Sequence, residues 1–349
     1  MRIAEKAFFP LDQQLNVAGQ GWSEGLQKWA VWLGGLLPFE HAEDVLNLVG
    51  QVPMSDSTLW RQVQVWGERG RNWEAQQRAE ASALPARHHL VPGEVPQAAV
   101  KGVALDGATV NIRKEGWKEL KVGSVFEVEV RPTCDRETGD LIDLAHAVHN
   151  TYVAHLGGPE VFGQLVWAEA RRRQWSQAQA TVALGDGAPW IWNLVGEHFY
   201  DSRQVVDWYH AATHLRQAAH ALKGEHTPEA QRWFKAYDTT LFEGQADQIA
   251  DTLRTLAKSN RKVADVLRRE AGYFDDNQRR MQYQEVREDG LPIGSGMVES
   301  ACKQFRARLA GPGMRWNRSG AERLLPIRAA AMNRNFDAWW QSVSSLPLN

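Results

Sequence analysis

Three short stretches of this chain share one design, an apolar run that delivers a carboxylate at or just beyond its end. They are Val103-Ala104-Leu105-Asp106-Gly107, Val182-Ala183-Leu184-Gly185-Asp186-Gly187 and Ile293-Gly294-Ser295-Gly296-Met297-Val298-Glu299. The first two predict buried strands, because a short aliphatic run bounded by glycine suits a strand covered on both faces. The third predicts a glycine-rich turn entering a helix, with Glu299 in its first turn. An unpaired carboxylate is too costly to bury for packing alone. The three acids are therefore either solvated separately or gathered around a divalent cation, and gathering accounts for all three at once.

At 349 residues the chain can bury a sizeable core, enough for two or three domains. Its formal charge of -2 carries no global sign of a polyanionic partner. Locally the balance differs: Lys258 to Arg334 holds 16 Lys and Arg against 9 Asp and Glu. A basic stretch around the third acid suits a polyanion, although a solvated helical face has the same composition. The only cysteines, Cys134 and Cys302, form no CxxC motif, which excludes a disulfide scaffold and a cysteine zinc site. With no apparent signal peptide between Met1 and Gln20 and no long apolar run, a cytoplasmic protein without a membrane span is expected. Sixteen tryptophans fit core anchors or base-stacking residues.

Along the chain, Gly21 to about Ala83 reads as helical, with Leu26, Trp29, Ala30, Leu33 and Leu37 at helical spacing. After the break at Gly50 to Pro53, Ser55-Asp56-Ser57-Thr58 offers N-cap chemistry for a helix carrying Arg61 and Gln62. That outline matches a helix-turn-helix as well as a plain three-helix bundle. Leu84 to Gln97, with three prolines and the pair His88-His89, reads as a linker. Strands are expected at Val100–Leu105, Thr109–Arg113, Glu119–Val122, Val125–Arg131, Ile142–His149, Ala180–Leu184 and Gln204–Val206, with a helix from Pro159 to Gln174. A meander followed by βαβ is the order of an α/β, ribonuclease-H-like mixed sheet. Ala211 to about Gln284 then reads as an all-helical insertion, with Leu253, Leu256, Val263, Val266 and Leu267 as its apolar positions. The expected division is 1–97 helical region and linker, 98–210 first part of the core, 211–285 insertion, and 286–349 last part with basic C-terminal helices.

Two strand-borne aspartates and a helix-borne glutamate can hold two Mg²⁺ ions about 3.5–4 Å apart, one beside the attacking oxygen and one beside the leaving oxygen. Gly107 and Gly187 would let a phosphate approach the backbone closely. Glu299, Lys303 and Arg306 share one helical face, either as a plain surface Glu–Lys pair or as a metal-binding acid beside phosphate-gripping cations. Asp207-Trp208-Tyr209-His210 admits two readings: Asp207 caps the following helix, or it orients His210 towards the site.

At these residues the chain resembles a known family. The stretch Gly294-Ser295-Gly296-Met297-Val298-Glu299-Ser300 through Arg308-Leu309 and Gly311-Pro312-Gly313-Met314-Arg315-Trp316 is similar to the C-terminal signature of DDE transposases of bacterial insertion sequences. The group is the Kra-type family of the Mutator-like assemblage. Asp106-Gly107, Asp186-Gly187-Ala188 with Trp190 and Trp192, and Asp207-Trp208-Tyr209-His210 resemble that family's blocks in the same order. The similarity spans about Val100 to Trp340; Phe9-Pro10-Leu11-Asp12 and Ser55–Arg61 resemble the family more loosely.

The resemblance implies a metal triad of Asp106, Asp186 and Glu299, with Asp207 and His210 as an accessory pair. It also implies Mg²⁺, with Mn²⁺ able to substitute, double-stranded DNA as partner and a homo-oligomer on that DNA. The DNA contacts expected are Arg61, Gln62, Lys303, Arg306, Arg308, Arg315, Trp316 and Arg318. The N-terminal cysteine clusters of some relatives are missing here, and Phe336 stands where relatives often have Trp. Alternatives to a transposase are a ribonuclease-H-fold nuclease that does not join strands, a domesticated DNA-binding protein without activity, and a sugar-cleaving carboxylate pair.

Overall fold

A computed structural model describes residues 22–83, 100–134, 139–311 and 313–346. The linker with His88-His89 and the block Phe9–Asp12 lie outside the described residues. Two compact units emerge: Met1–Gln77 with Thr109–Lys118 and Gln304–Asn349, and Arg78–Ala108 with Glu119–Lys303.

In the first unit, helices α1 (Glu24–Leu36), α2 (Phe39–Leu48) and α3 (Asp56–Ala83, as far as Gln77) follow their capping chemistry closely. Ser23 Oγ accepts from Leu26 N–H at the start of α1, and Ser55 Oγ accepts from Thr58 N–H at the start of α3. Ala30, Leu33, Ala42, Leu46, Met54 and Leu59 form one apolar cluster. The C-terminal helices α12 (Arg318–Met332) and α13 (Phe336–Ser344) belong to this unit. Trp66 of α3 stacks on Trp340 of α13 at 3.9 Å between ring centroids.

Buried arginines finish the helices here. The Arg308 guanidinium donates twice to Gly34 O, at 3.1 and 2.8 Å, and Arg328 donates to Gly35 O, so the last carbonyls of α1 are satisfied. Arg69 does the same at the end of α13, donating to the carbonyls of Val343, Ser344 and Leu346. Cations at helix C-termini also meet the negative end of the dipole.

The second unit is a mixed α/β structure on one five-stranded sheet of order β3-β2-β1-β4-β5. The strands are β1 (Val100–Ile112), β2 (Gly116–Cys134), β3 (Leu141–His155), β4 (Thr181–Gly185) and β5 (Arg203–Val206). Helices α4 (Pro159–Arg172) and α5 (Pro189–His198) make the crossovers around β4. β2 and β3 pair antiparallel, whereas β1 with β4 and β4 with β5 pair parallel. An all-helical stretch follows β5: α6 (Trp208–Lys223), α7 (Pro228–Phe242), α8 (Ala246–Ser259), α9 (Ala264–Asn277) and α10 (Tyr283–Glu288). Then comes α11 (Gly296–Leu309), whose last residues count with the first unit. Leu253 and Leu267, two of the periodic positions, are fully buried.

Two differences from the sequence reading stand out. Val100–Leu105 and Thr109–Arg113 are one continuous strand, as are Glu119–Val122 and Val125–Arg131. Asp106 therefore sits in mid-strand; Asp-Gly is a turn signal only where the backbone turns, and Gly107 is not among the positive-φ glycines. The C-terminal helices, placed by the sequence with the sheet, fall instead with the N-terminal helices. An amphipathic stripe shows that a helix packs, not against what. No helix among the described residues is long and apolar enough to cross a membrane.

Candidate active site

Sheet register builds the site. Ala104 pairs with Leu184 across β1 and β4, so Asp106 and Asp186, each two residues further on, fall level. Gly185 pairs with Val206 across β4 and β5, which sets Asp207 beside Asp186, and Asp207 N–H donates to Gly185 O at 2.8 Å. Three aspartates thus form a row across three adjacent parallel strands. Glu299 joins them from the first turn of α11; its carboxylate lies within 4.8 Å of the Asp207 and His210 ligand atoms.

The carboxylates differ sharply in how they are satisfied. Asp207 is fully buried and spends both oxygens on protein donors. Oδ1 accepts from His210 N–H at 2.9 Å and from His210 Nδ1 at 3.2 Å, while Oδ2 accepts from Ser295 N–H and, at 2.8 Å, from Ser295 Oγ. Burial alone would raise its pKa, yet these donors outweigh it and hold the group below the usual carboxylate range. Asp207 thus caps α6 and also holds the His210 ring. The bond to Asp207, reinforced by the Asp186 and Asp106 charges, lifts His210 to about 9 against the opposing effect of burial.

Asp106 is the opposite case. It accepts from Gly107 N–H at 2.6 Å and from the Cys302 thiol, but burial dominates and, with the Asp186 charge, pushes its pKa up. Asp186 Oδ1 accepts from Ala188 N–H at 2.8 Å. Cys302, three residues after Glu299 on α11, has its own pKa driven up by burial and by the charges of Asp106, Glu299 and Asp186. Its neighbours tie the acids of the row to Glu299.

Hard divalent cations take oxygen ligands. Asp207 has little lone-pair capacity left, and His210 as an imidazolium has no lone pair to offer at Nδ1. Among the described residues, the ligand atoms that lie close enough together to share a cation are those of Asp207, His210 and Glu299; Asp106 and Asp186 are carboxylates of the same row with fewer protein donors.

The corner of Asp186 is braced from α9. Tyr273 Oη donates to Asp186 O at 2.9 Å, and the His214 ring stacks on the Tyr273 ring at 3.5 Å and 19°. His214 Nδ1 in turn lies 2.6 Å from Glu270 Oε2, a fully buried carboxylate that also accepts from Arg269. Sequence reading missed Cys302, Ser295, Tyr273, His214 and Glu270. Spacing signals existed for the first two, Cys302 three residues from Glu299 and Ser295 in the Gly-Ser-Gly turn. For Tyr273 there is none, because its partner is 87 residues away.

The residues expected on DNA divide. Arg61, Lys303, Arg306 and Arg315 are exposed and Gln62 is partly so. Arg61 folds back on its own helix start, donating to Ser57 O at 3.2 Å and Thr58 Oγ1 at 3.1 Å. Arg308, only 3% exposed, and Trp316 are buried, with the guanidinium 4.8 Å from the Phe39 ring and 5.3 Å from the Trp316 ring. Packing, not a polyanion, explains these two. Arg318 is engaged with Glu115 through three contacts of 3.0, 3.0 and 2.6 Å.

The model of a family described as Uncharacterised protein family (UPF0236) matches residues 160–339, a stretch that includes Asp186, Asp207, His210 and Glu299 but not Asp106. No curated protein matches the chain.

Proposed function

The chain belongs to the uncharacterised protein family UPF0236, and from its site we propose a DDE-type transposase of a bacterial insertion sequence, which cuts DNA strands at the element ends and joins the 3′-hydroxyl to target DNA. What supports the reading is the register of β1 with β4, which sets Asp106 level with Asp186 just past the end of β4, and the arrival of Glu299, after an all-helical stretch, beside Asp207 and His210 at the end of the next strand. The strand order β3-β2-β1-β4-β5, a meander followed by two parallel strands, supports a ribonuclease-H-like core.

Asp106, Asp186 and Glu299 would hold two Mg²⁺ ions, or Mn²⁺ in their place. When bound, such ions supply activation of the attacking water or 3′-hydroxyl and stabilisation of the leaving oxygen. Asp207 keeps His210 protonated and fixed through Nδ1, which leaves its other ring nitrogen to donate to a phosphate oxygen. Ser295 locks the turn that presents Glu299 by donating to Asp207. Lys303 and Arg306, one and two turns beyond Glu299, present exposed cations to the phosphate backbone. Arg61 and Gln62, exposed or partly so at the start of α3, serve recognition of the ends. Joining two ends calls for a homo-oligomer on the DNA.

The test uses the full chain and a plasmid carrying the DNA that flanks its coding sequence. Wild type with Mg²⁺ is expected to give cut ends and joined products, and Asp186→Asn neither, while still binding the DNA. Cut ends without joined products would mark a nuclease. Full activity of Asp186→Asn would remove the metal triad.

A further inference from the structure

We infer that the tip of the β1–β2 hairpin, Arg113 to Lys118, together with Arg315 beside it, is a contact for DNA bearing an unpaired base, with Trp117 as the stacking platform. The inference rests on the DNA reading above but, Arg315 apart, concerns residues that reading does not use.

The tip is built to hold a shape. Glu115 N–H donates to Ile112 O at 3.0 Å to close the turn, and Lys114 and Gly116 take left-handed backbone angles, φ 66° and 74°. The loop before α12 is laid alongside it. Ile112 and Trp316 form a parallel bridge, and Arg113 N–H donates to Trp316 O at 2.8 Å. Arg318 then clamps Glu115 through both carboxylate oxygens. Trp316 and Arg318, both among the residues expected on DNA, anchor the tip that presents these other groups.

Those groups are uniform in sign. Arg113, Lys114 and Arg315 are exposed and Lys118 is partly so. The one acid of the tip, Glu115, is already neutralised by Arg318, which also reaches Glu322 at 3.5 Å. On the same tip Trp117 is 64% exposed. Among the described residues no other ring stacks on it, unlike Trp66 on Trp340 or Trp208 on Tyr283. An exposed indole on a hairpin tip that also carries exposed or half-exposed cations matches a nucleic-acid strand, whose phosphates meet the cations and whose free base meets the π face. Duplex bases are already stacked on one another, so the platform can engage only a base that has left the stack.

Binding by fluorescence anisotropy distinguishes the outcomes, using a labelled blunt duplex and the same duplex with a short oligothymidine overhang. Wild type is expected to prefer the overhang probe. Trp117→Ala should weaken binding to that probe by about 5- to 150-fold, the span of one stacked base, and barely change binding to the blunt duplex. Trp117→Phe should keep most of the affinity, and Lys114→Ala with Lys118→Ala should flatten the log–log salt dependence by roughly one to two units. An exposed ring leaves no cavity when truncated, so a folded Trp117→Ala that binds both probes like wild type overturns the inference while leaving the DNA reading intact. Wild type that binds neither probe overturns both.

Discussion

Asp106 and Asp207 stand one strand apart from a common neighbour in the same row, and burial presses on both, yet their charges are handled in opposite ways. Asp207 receives four protein donors and is held as a carboxylate below its usual range. Asp106 receives a backbone N–H and a thiol, faces the charge of Asp186, and is pushed up. The count of donors, more than burial, decides which acid is held as a carboxylate and which is left under-compensated. Family blocks alone would group them as neighbouring motifs.

The largest test of that contrast replaces each with its amide. Asp207→Asn turns an amide N–H₂ towards existing donors and should cost about 2–4 kcal/mol of stability, because buried donors are left unpaired. Asp106→Asn removes an under-compensated charge and should leave the stability to denaturant unchanged or higher. The rise in melting temperature on adding Mn²⁺ should vanish in Asp106→Asn. Equal destabilisation by the two amides would break the contrast.

The two acids of the proposed triad that come from strands are also aimed differently, although each is followed by glycine. At Gly187 the backbone takes φ +100° and β4 has ended; at Gly107 the strand runs on. A Cβ at Gly187 would sit 2.8 Å from Tyr273 Cε2, on the ring whose hydroxyl holds Asp186 O. A Cβ at Gly107 would sit 2.7 Å from Glu119 Oε1, the far end of a half-exposed flexible side chain. Gly187→Ala should therefore cost about 1–3 kcal/mol and weaken Mn²⁺ binding, since left-handed strain and the displaced ring act together. Gly107→Ala should cost no more than about 0.5 kcal/mol, as Glu119 swings aside. Chemical denaturation of both variants reads this directly, and similar losses would mean that the two corners are equivalent.

What the sequence made legible follows from how local each signal is. Val182-Ala183-Leu184 before Asp186 and the caps at Ser23 and Ser55 depend on neighbours within a few residues, and the structure follows them. Asp106-Gly107 carries the same dipeptide as Asp186-Gly187, but the strand beyond it continues as Thr109–Ile112, whose Ile112 bridges to Trp316 far along the chain. Arg308 reads as one more cation of a basic helix, yet Gly34 O, 274 residues away, takes its guanidinium inward. Ser295 likewise reaches Asp207 across 88 residues. Residue type and spacing name the groups that do chemistry; which of them are already spent on partners is set by contacts that no local pattern encodes.

The smallest expected effect concerns a third acid, Glu270, which extends the scaffold class beyond the aspartate row. It is fully buried, and although burial would raise its pKa, the bonds from His214 and Arg269 hold it below its ordinary value of 4.5. A carboxylate depressed on folding adds stability that is complete above the unfolded pKa and is lost as pH falls through the folded one. Wild type should therefore lose stability progressively below about pH 4.5 partly through this group. In Glu270→Gln that part of the acid limb should disappear, along with about 1–2 kcal/mol at neutral pH, a figure kept low because Arg269 is largely solvent-exposed. Denaturant titrations of wild type and variant across pH 3 to 7 compare the two limbs. If Glu270→Gln keeps the wild-type acid limb in full, the His214 and Arg269 contacts do not stabilise the carboxylate, and Glu270 leaves the class that Asp207 defines.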